Sequence, residues 1–392
     1  MVIHKAFKFR IYPNRVQREI FAKHFGCVRF VYNHFLRQRI DYYEENKHSE
    51  KKGLNYHDTA RALTQMKKDP EFEWLNAVNS QSLQQSLRDL DVAYNNFFNK
   101  RAKFPKFKKK RSKQSFSVPQ NWSVSEGKLN IPKCPPIKIV LHRRIEGTMK
   151  SVTISRTPAG RYYASILCEV DIPAPVFSGG EVGIDYGVKA FVTTSEAELI
   201  QSPNYLRKAE TKLKRLQRLV SRKVKGSSNR RKAVLRLARQ HEKVSNQRQD
   251  FLHKTSRQLV RENQAIFIES LAIKNMIRNH RLAKSISDSG WHKFVNMLKY
   301  KGQWYGCSIH EIDRFFPSSK RCHRCGYINE SLKLSDRFWN CPECDSNNDR
   351  DVNAAINILT FGRAGTARID ACGEEAQQGP SVKQEAPAFM RG

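Results

Sequence analysis

Apolar residues along the chain change period several times, and each change marks a different element. Residues 3–12, IHKAFKFRIY, alternate apolar with polar and predict a strand. From about Asn14 the period lengthens. Phe21, Phe25, Val28, Tyr32 and Phe35 recur at spacings of four and three, which predicts a helix with one apolar seam. More helix is expected at about 57–68 and 79–99, the second with Leu83, Leu87, Leu90 and Tyr94 on one face. Between 114 and 172 the alternation returns in short runs: FSV, KLNI, IKIVL, SVTIS and RYYASILCEV. Gly and Pro separate them, and TPAG at 157–160 reads as a hairpin turn. A small β-barrel or sandwich, joined by the N-terminal strand, is expected there. PAPVFSGG at 173–180 reads as a linker.

The last part of the chain mixes both periods. EVGIDYGVKAFVTTS at 181–195 predicts an apolar strand followed by a hairpin. Long helices over 204–263 are interrupted by KGSSN at 225–229. AIFIES at 265–270 predicts a short buried strand. A helix is expected near 290–305, with Trp291, Phe294, Met297 and Leu298 in the core. The strand CSIHEID follows, and the helix DVNAAINIL comes later. After about Gly362 little remains to bury, and a disordered tail is expected.

Charge narrows the function. The 392 residues carry 71 Lys and Arg against 37 acids, a formal net charge of +34. Like charges repel in a compact state, so such an excess points to a polyanionic partner, nucleic acid first and anionic membrane second. No apolar run approaches the roughly 20 residues that span a bilayer. The opening MVIHKAFKFR lacks a signal peptide's apolar core, and a cytoplasmic protein is expected. Two stretches concentrate the cations. RAKFPKFKKKRSK at 101–113 holds eight Lys or Arg interleaved with Phe104 and Phe107, which suits phosphate contact plus stacking. Residues 206–263 hold nineteen Lys or Arg against four acids, with Leu213, Leu216 and Leu235 expected to turn inward. The candidate nucleic-acid contacts are Lys103, Lys106, Lys108, Lys109, Lys110, Arg111, Arg222, Lys223, Arg230 and Arg231.

Nine cysteines are present, and the scatter of Cys27, Cys134, Cys168, Cys307 and Cys372 argues against a disulfide framework. The other four form Cys322-x2-Cys325-x15-Cys341-x2-Cys344, a zinc-ribbon spacing. Four sulfurs close the coordination sphere, so a structural Zn2+ is expected. Three acids stand out by position. Asp185 interrupts the apolar strand of GIDYG, Glu269 closes AIFIES, and Asp351 precedes the helical stripe of Val352, Ile356 and Leu359. Each has a structural alternative: a strand-end acid turned outward for the first two, a helix N-cap for Asp351 or Asp349. Together, one acid in a first strand, one at the end of a later strand and one at the head of a late helix are how the RNase H-like fold builds a site for divalent ions.

GIDYG, FIES, the paired CxxC knuckles and DRDVNAAIN, in this order, closely resemble the TnpB proteins of bacterial insertion sequences, compact relatives of type V CRISPR effector nucleases. KFRIYPNRVQ at 8–17, KFPKFKKK at 103–110, the basic helices ending in DFLHKTS at 250–256, and KQE at 383–385 extend the resemblance over nearly the whole chain. Asp345, where Gly is frequent, and Asn348, where His is frequent, depart from the family pattern. The resemblance implies an RNA-guided DNA endonuclease with a RuvC-type site. Its catalytic acids fall on Asp185, Glu269 and Asp351, which would hold two Mg2+ ions. Water attack would leave a 5′-phosphate and a 3′-hydroxyl. The implied fold is multidomain α+β. A wedge β-barrel covers 1–12 and 101–178, with a helical recognition lobe inserted at 13–100. A RuvC-like α/β nuclease domain covers 179–315 and 347–362, a zinc ribbon is inserted at 316–346, and 363–392 form the tail. The implied partners are a guide RNA from the transposon end and double-stranded target DNA beside a short adjacent motif, with one protein monomer per guide. Two rival readings stay open: a transposase that joins strands with the same three acids, and an RNA-guided binder that represses without cutting.

Overall fold

The N-terminal alternation forms β1 (Val2–Tyr12), with Ile3, Phe7, Phe9 and Ile11 buried. A computed structural model describes residues 1–111, 113–173, 179–187, 190–280, 282–333 and 335–371. Asn14 ends the strand with a reciprocal cap. Its side chain accepts from the Gln17 N–H, and the Gln17 side chain accepts from the Asn14 N–H. This starts α1 (Arg15–Asn46), and the whole expected seam from Phe21 to Phe35 is buried. Helices α2 (Tyr56–Met66) and α3 (Ser80–Phe98) follow, and α3 turns Leu83, Leu87, Leu90 and Tyr94 inward. A 3₁₀ segment at Pro70–Ala77 between them was not among the expected elements.

Six strands succeed the helices: β2 (Gln114–Val118), β3 (Ser123–Ser125), β4 (Lys128–Ile131), β5 (Cys134–Val140), β6 (Thr148–Arg156) and β7 (Tyr162–Asp171). They join β1 in one antiparallel sheet of order β2-β6-β7-β1-β5-β4-β3. The first strand of the chain is thus central, paired with β7 from Val2↔Asp171 to Ile11↔Tyr162. The TPAG turn joins β6 to β7, with Gly160 at φ +75°. The edge strands β2 and β3 are not bonded to each other, so the expected barrel is a curled sheet with an open ladder. Helices α1–α3 are inserted between β1 and β2, as expected. The Phe116 ring of β2 packs among Phe21, His24 and Phe25 of α1.

The chain divides into two compact units, 1–173 with 224–239, and 174–223 with 240 onward. The second unit is built on β8 (Gly180–Asp185), β9 (Ala190–Thr194), β10 (Leu199–Gln201), β11 (Asn263–Glu269) and β12 (Ser308–Ile312). Their order is β10-β9-β8-β11-β12; the first three are antiparallel, and β8, β11 and β12 are parallel. This is the RNase H-like layout expected from the sequence. Helices α4 (Tyr205–Ser221) and α5 (Ser228–Glu262) separate β10 from β11. Three more, α6 (Ile273–Met276), α7 (Ala283–Ser289) and α8 (Trp291–Tyr305), lie between β11 and β12.

Strand alternation divides the core between two faces. On one face, Val182, Ile184, Ile266 and Ile268 pack with Leu252, Leu259, Trp291, Phe294 and Leu298. On the other, Ala265, Phe267 and Ile312 pack with Ile358. A short hairpin, β13 (Phe338–Asn340) with β14 (Asn347–Asp349), runs directly into α9 (Arg350–Ala371). Helix α9 continues past Gly362, where the sequence sets the start of the tail. The rest of that tail, including Cys372 and KQE at 383–385, lies outside the described residues, as does most of the expected linker, at 174–178.

Candidate metal centres

The cysteine knuckles are two copies of one turn. Gly326 N–H donates to Cys322 O at 3.0 Å, and Asp345 N–H to Cys341 O at 2.9 Å. Cys322 N–H donates to Tyr327 O and Cys341 N–H to Ser346 O, at 2.7 and 2.9 Å. The residue after each second cysteine is left-handed, Gly326 at φ +86° and Asp345 at φ +55°. That explains why glycine suits this position and why aspartate, which visits this region more readily than most, can replace it. All four sulfurs lie within 4.8 Å of one another. Cys322 and Cys344 Sγ are 3.7 Å apart, and Cys325 and Cys341 Sγ 3.5 Å. A tetrahedron of bonds about 2.3 Å long puts its sulfurs about 3.8 Å apart, so the quartet fits Zn2+. Burial opposes charge on Cys322, but the Ser346 hydroxyl and the Cys325 and Arg324 backbone lower its thiol, and Ser346 lowers Cys344 too. Against the Tyr327 backbone, burial and the neighbouring thiols raise Cys325.

The three acids arrive at one sheet edge by simple register. Ile184 of β8 pairs with Ile268 of β11, so Asp185 and Glu269 stand one step further on, side by side. Gly183 and Phe267, two residues before them, face α9: a Cβ on Gly183 would run into Ala355 O, and a Cβ on Gly362 into the Phe267 ring. Period-two alternation then turns Asp185 and Glu269 to the same face. Asp351 sits in the first turn of α9, four residues before Ala355. Burial first, then the charges of Asp351 and Glu269, push Asp185 up to about 7. Burial also raises Glu269.

This donor set fits a hard divalent cation: oxygens only, mutually repelling, and part-buried. The carboxylates stand farther apart than the sulfurs. Among the described residues only the cysteine quartet has all its ligand atoms within 4.8 Å. Mg2+ keeps several waters, and a pair of ions spans a wider set of ligands than one ion does.

Three further features act around this site, the first of them the cap alternative that the sequence offered and the other two unforeseen. Asp349 Oδ1 accepts from Asp351 and Val352 N–H at 2.9 and 3.1 Å, so Asp349 is the cap of α9. Asn353 and Asn357, buried one turn apart, bolt the first knuckle to this helix. Asn353 Nδ2 donates to Arg321 O at 2.7 Å and its Oδ1 accepts from His323 N–H at 2.9 Å. Asn357 Nδ2 donates to Ser318 O and Arg321 O at 2.8 and 2.6 Å. Two polar residues spaced four apart beside an apolar stripe were the available signal. Third, Arg337 of the ribbon reaches Asp351 Oδ2 at 2.6 Å, a contact without local sequence signal.

Of the candidate nucleic-acid contacts, Lys103, Lys106, Lys109, Lys110, Arg111, Arg222, Lys223 and Arg231 are exposed and Arg230 is half-buried. Lys108 is exposed as well, but its ammonium is engaged: it lies 3.7 Å over the Tyr32 ring, and Asn33 exchanges two hydrogen bonds with the Lys108 backbone. Phe104 packs edge-on against Tyr94 and Phe97 yet stays partly exposed.

A mixed sheet with acids at the ends of its central parallel strands, and a four-cysteine ribbon against its last helix, defines a zinc-ribbon protein of the RNase H-like class. The OrfB_IS605 family profile, described as "Probable transposase", matches residues 165–280, and a "Cas12f1-like, TNB domain" profile matches 291–358. A "Helix-turn-helix domain" profile matches 1–48, where the structure has a strand and one long helix. A Streptomyces pristinaespiralis protein named "Putative RNA-guided DNA endonuclease" is 42% identical, over 98% of this chain and 96% of its own. The Escherichia coli (strain K12) "Putative RNA-guided DNA endonuclease InsQ" is 35% identical, over 97% of both. A solved "Cas12f1-sgRNA-target DNA complex" chain aligns at TM-score 0.48 and 14% identity, over 91% of this chain and 99% of that one. The chain belongs to the OrfB/TnpB family.

Proposed function

We propose that this chain is an RNA-guided, magnesium-dependent DNA endonuclease that cuts target DNA beside a short adjacent motif. The carrying observation is the meeting of Asp185, Glu269 and Asp351 at one sheet edge, with Asp185 pushed up to about 7 by burial and by its two neighbours. Full-length similarity to proteins named RNA-guided DNA endonucleases supports the same reading. Bound by these three acids, a pair of Mg2+ ions would activate water and stabilise the leaving oxygen of a phosphodiester.

The protein's own part is positional. The β8–β11 register sets Asp185 beside Glu269. The Asp349 cap and the ribbon fix the head of α9, and with it Asp351. Arg350 holds Asp351 Oδ1 at 3.1 Å and limits the repulsion within the cluster. In this reading the curled sheet is the wedge, and α1–α3 are the recognition lobe that holds the RNA scaffold. The exposed cations of 101–111 contact phosphate, and sequence is read by base pairing.

The test is cleavage by protein purified with its co-expressed RNA. Asp185→Ala is expected to abolish cutting while retaining RNA. Full nicking by a clean Asp185→Ala preparation overturns the site, and a random co-purified RNA population overturns guidance.

A further inference from the structure

Both oxygens of Asp351 are already held by cations. Arg350 donates from Nη2 and Nε to Oδ1 at 3.1 and 3.3 Å, and Arg337 donates from Nη1 to Oδ2 at 2.6 Å. The two arginines differ in freedom. Arg350 neighbours Asp351 on the same helix, and its side chain is only 13% exposed. Arg337 comes from the zinc ribbon, immediately before β13, and its side chain is 41% exposed. The Arg337 backbone is fixed independently of the side chain. Its carbonyl accepts from Arg350 N–H at 2.8 Å, and the next residue, Phe338, pairs with Asp349.

We infer that Arg337 is a positioning residue that regulates metal uptake: its guanidinium holds Asp351 Oδ2 and must be displaced before that oxygen can ligate a divalent ion. The inference rests on the three-acid reading of the site. A charge-assisted hydrogen bond of this length is a strong one, and a carboxylate oxygen committed to it is a poor metal donor. Removing the guanidinium frees the oxygen and leaves the cluster one positive charge poorer. Both effects favour a divalent cation. A nucleic-acid phosphate reaching the ribbon offers Arg337 another anion, so strand arrival and metal uptake become coupled, each favouring the other.

The experiment is a Mn2+ titration of the zinc-loaded protein with its co-purified RNA, following free Mn2+ by electron paramagnetic resonance, with and without a single-stranded DNA oligonucleotide. Zinc content and melting temperature are recorded for each variant. Arg337→Ala is expected to bind Mn2+ at least about fivefold more tightly than wild type, with zinc retained, and to lose the gain that DNA gives wild type. Arg337→Lys, which keeps a cation, is expected to lie between them. If Arg337→Ala does not fold or loses zinc, Arg337→Gln is read by the same criterion. Unchanged or weaker Mn2+ binding in the folded neutral variant overturns the inference. Asp185→Ala separates the two levels: Mn2+ binding identical to wild type in that variant overturns the three-acid site itself, whatever Arg337 does.

Discussion

Gly183 of β8 lies so close to Ala355 of α9 that a side chain at Gly183 would strike the Ala355 carbonyl and come within 2.8 Å of Leu359 N. This contact sets the level of the two acids. Asp185 is two residues further along the strand, about 6.6 Å at strand rise. Asp351 is four residues back along the helix, about 6 Å at helix rise. Both therefore reach the same end of the sheet. Gly183→Ala is expected to push α9 outward, destabilise the unit by about 1–3 kcal/mol, and weaken Mn2+ binding more than tenfold. Gly180→Ala on the same strand meets nothing within 4 Å and serves as the control, with metal binding unchanged. Thermal melts and Mn2+ titrations check both.

Asp185 makes stability depend on pH in a stated direction. Its folded value, about 7, is above the ordinary 3.8. A raised carboxyl stabilises the fold fully below the unfolded value and loses that contribution as pH rises through the folded one. Without divalent ions, stability is expected to fall between about pH 4 and pH 7, by at most about 4 kcal/mol from this group. Asp185→Asn is expected to flatten the fall, and Mg2+ to restore wild-type stability at pH 8. Melting temperatures from pH 4.5 to 8.5, with and without Mg2+, decide it. A slope identical in wild type and Asp185→Asn counts against the assignment.

Zinc held by the cysteine quartet would act on the three-acid site through three bonded steps. Cys341 and Cys344 close the turn between β13 and β14, β14 ends at Asp349, and Asp349 caps the N–H groups of Asp351 and Val352. Cys341→Ser is expected to lose the metal and loosen the hairpin. The Asp351 and Val352 amides should then exchange hydrogen at least about tenfold faster, while the core of β8 and β11 keeps its protection. Exchange mass spectrometry with a zinc assay reads both, and unchanged exchange in zinc-free protein breaks the chain of cause.

Local periodicity was enough for β1, α1, α3 and α8, because each buries one face whose spacing survives in the sequence, and β11 was legible as a short apolar run buried on both faces. Cysteine spacing revealed the ribbon because both knuckles are short and self-contained. The 3₁₀ segment at Pro70–Ala77 and the short helices α6 and α7 went unassigned, since a turn or two offers no periodicity to count. The central place of β1 was hidden for another reason: its partners in β7 lie roughly 150 or more residues away, and pairing at that distance is not written locally. The acids themselves could be named from strand ends and a helix head. Asp349 could be offered as a cap, but what else orients Asp351, namely Arg337 and the asparagine bonds that hold the ribbon to α9, depends on contacts that form only after the ribbon and α9 have assembled.

Asn353 provides the sharpest test of that dependence. Its amide bonds in both directions, donating to Arg321 O and accepting from His323 N–H, and it is almost fully buried. Asn353→Ala strands a carbonyl and an N–H in a buried interface, which is expected to cost about 1–3 kcal/mol for each group left unpaired. Asn357 also reaches Arg321 O, at 2.6 Å, so that carbonyl keeps one donor and the lower end of the range is expected for it. The His323 N–H has no such reserve among the hydrogen bonds described. Asn353→Asp keeps the acceptor, loses the donor and adds a negative charge two residues from Asp351, so its stability relative to Asn353→Ala is expected to be higher at pH 5 than at pH 8. The double variant Asn353→Ala/Asn357→Ala should exceed the sum of the singles, because both amides share Arg321 O. Chemical denaturation of the four proteins measures this. Strict additivity would mean that the two amides do not act as one bolt, and that the first knuckle is held to α9 by something else.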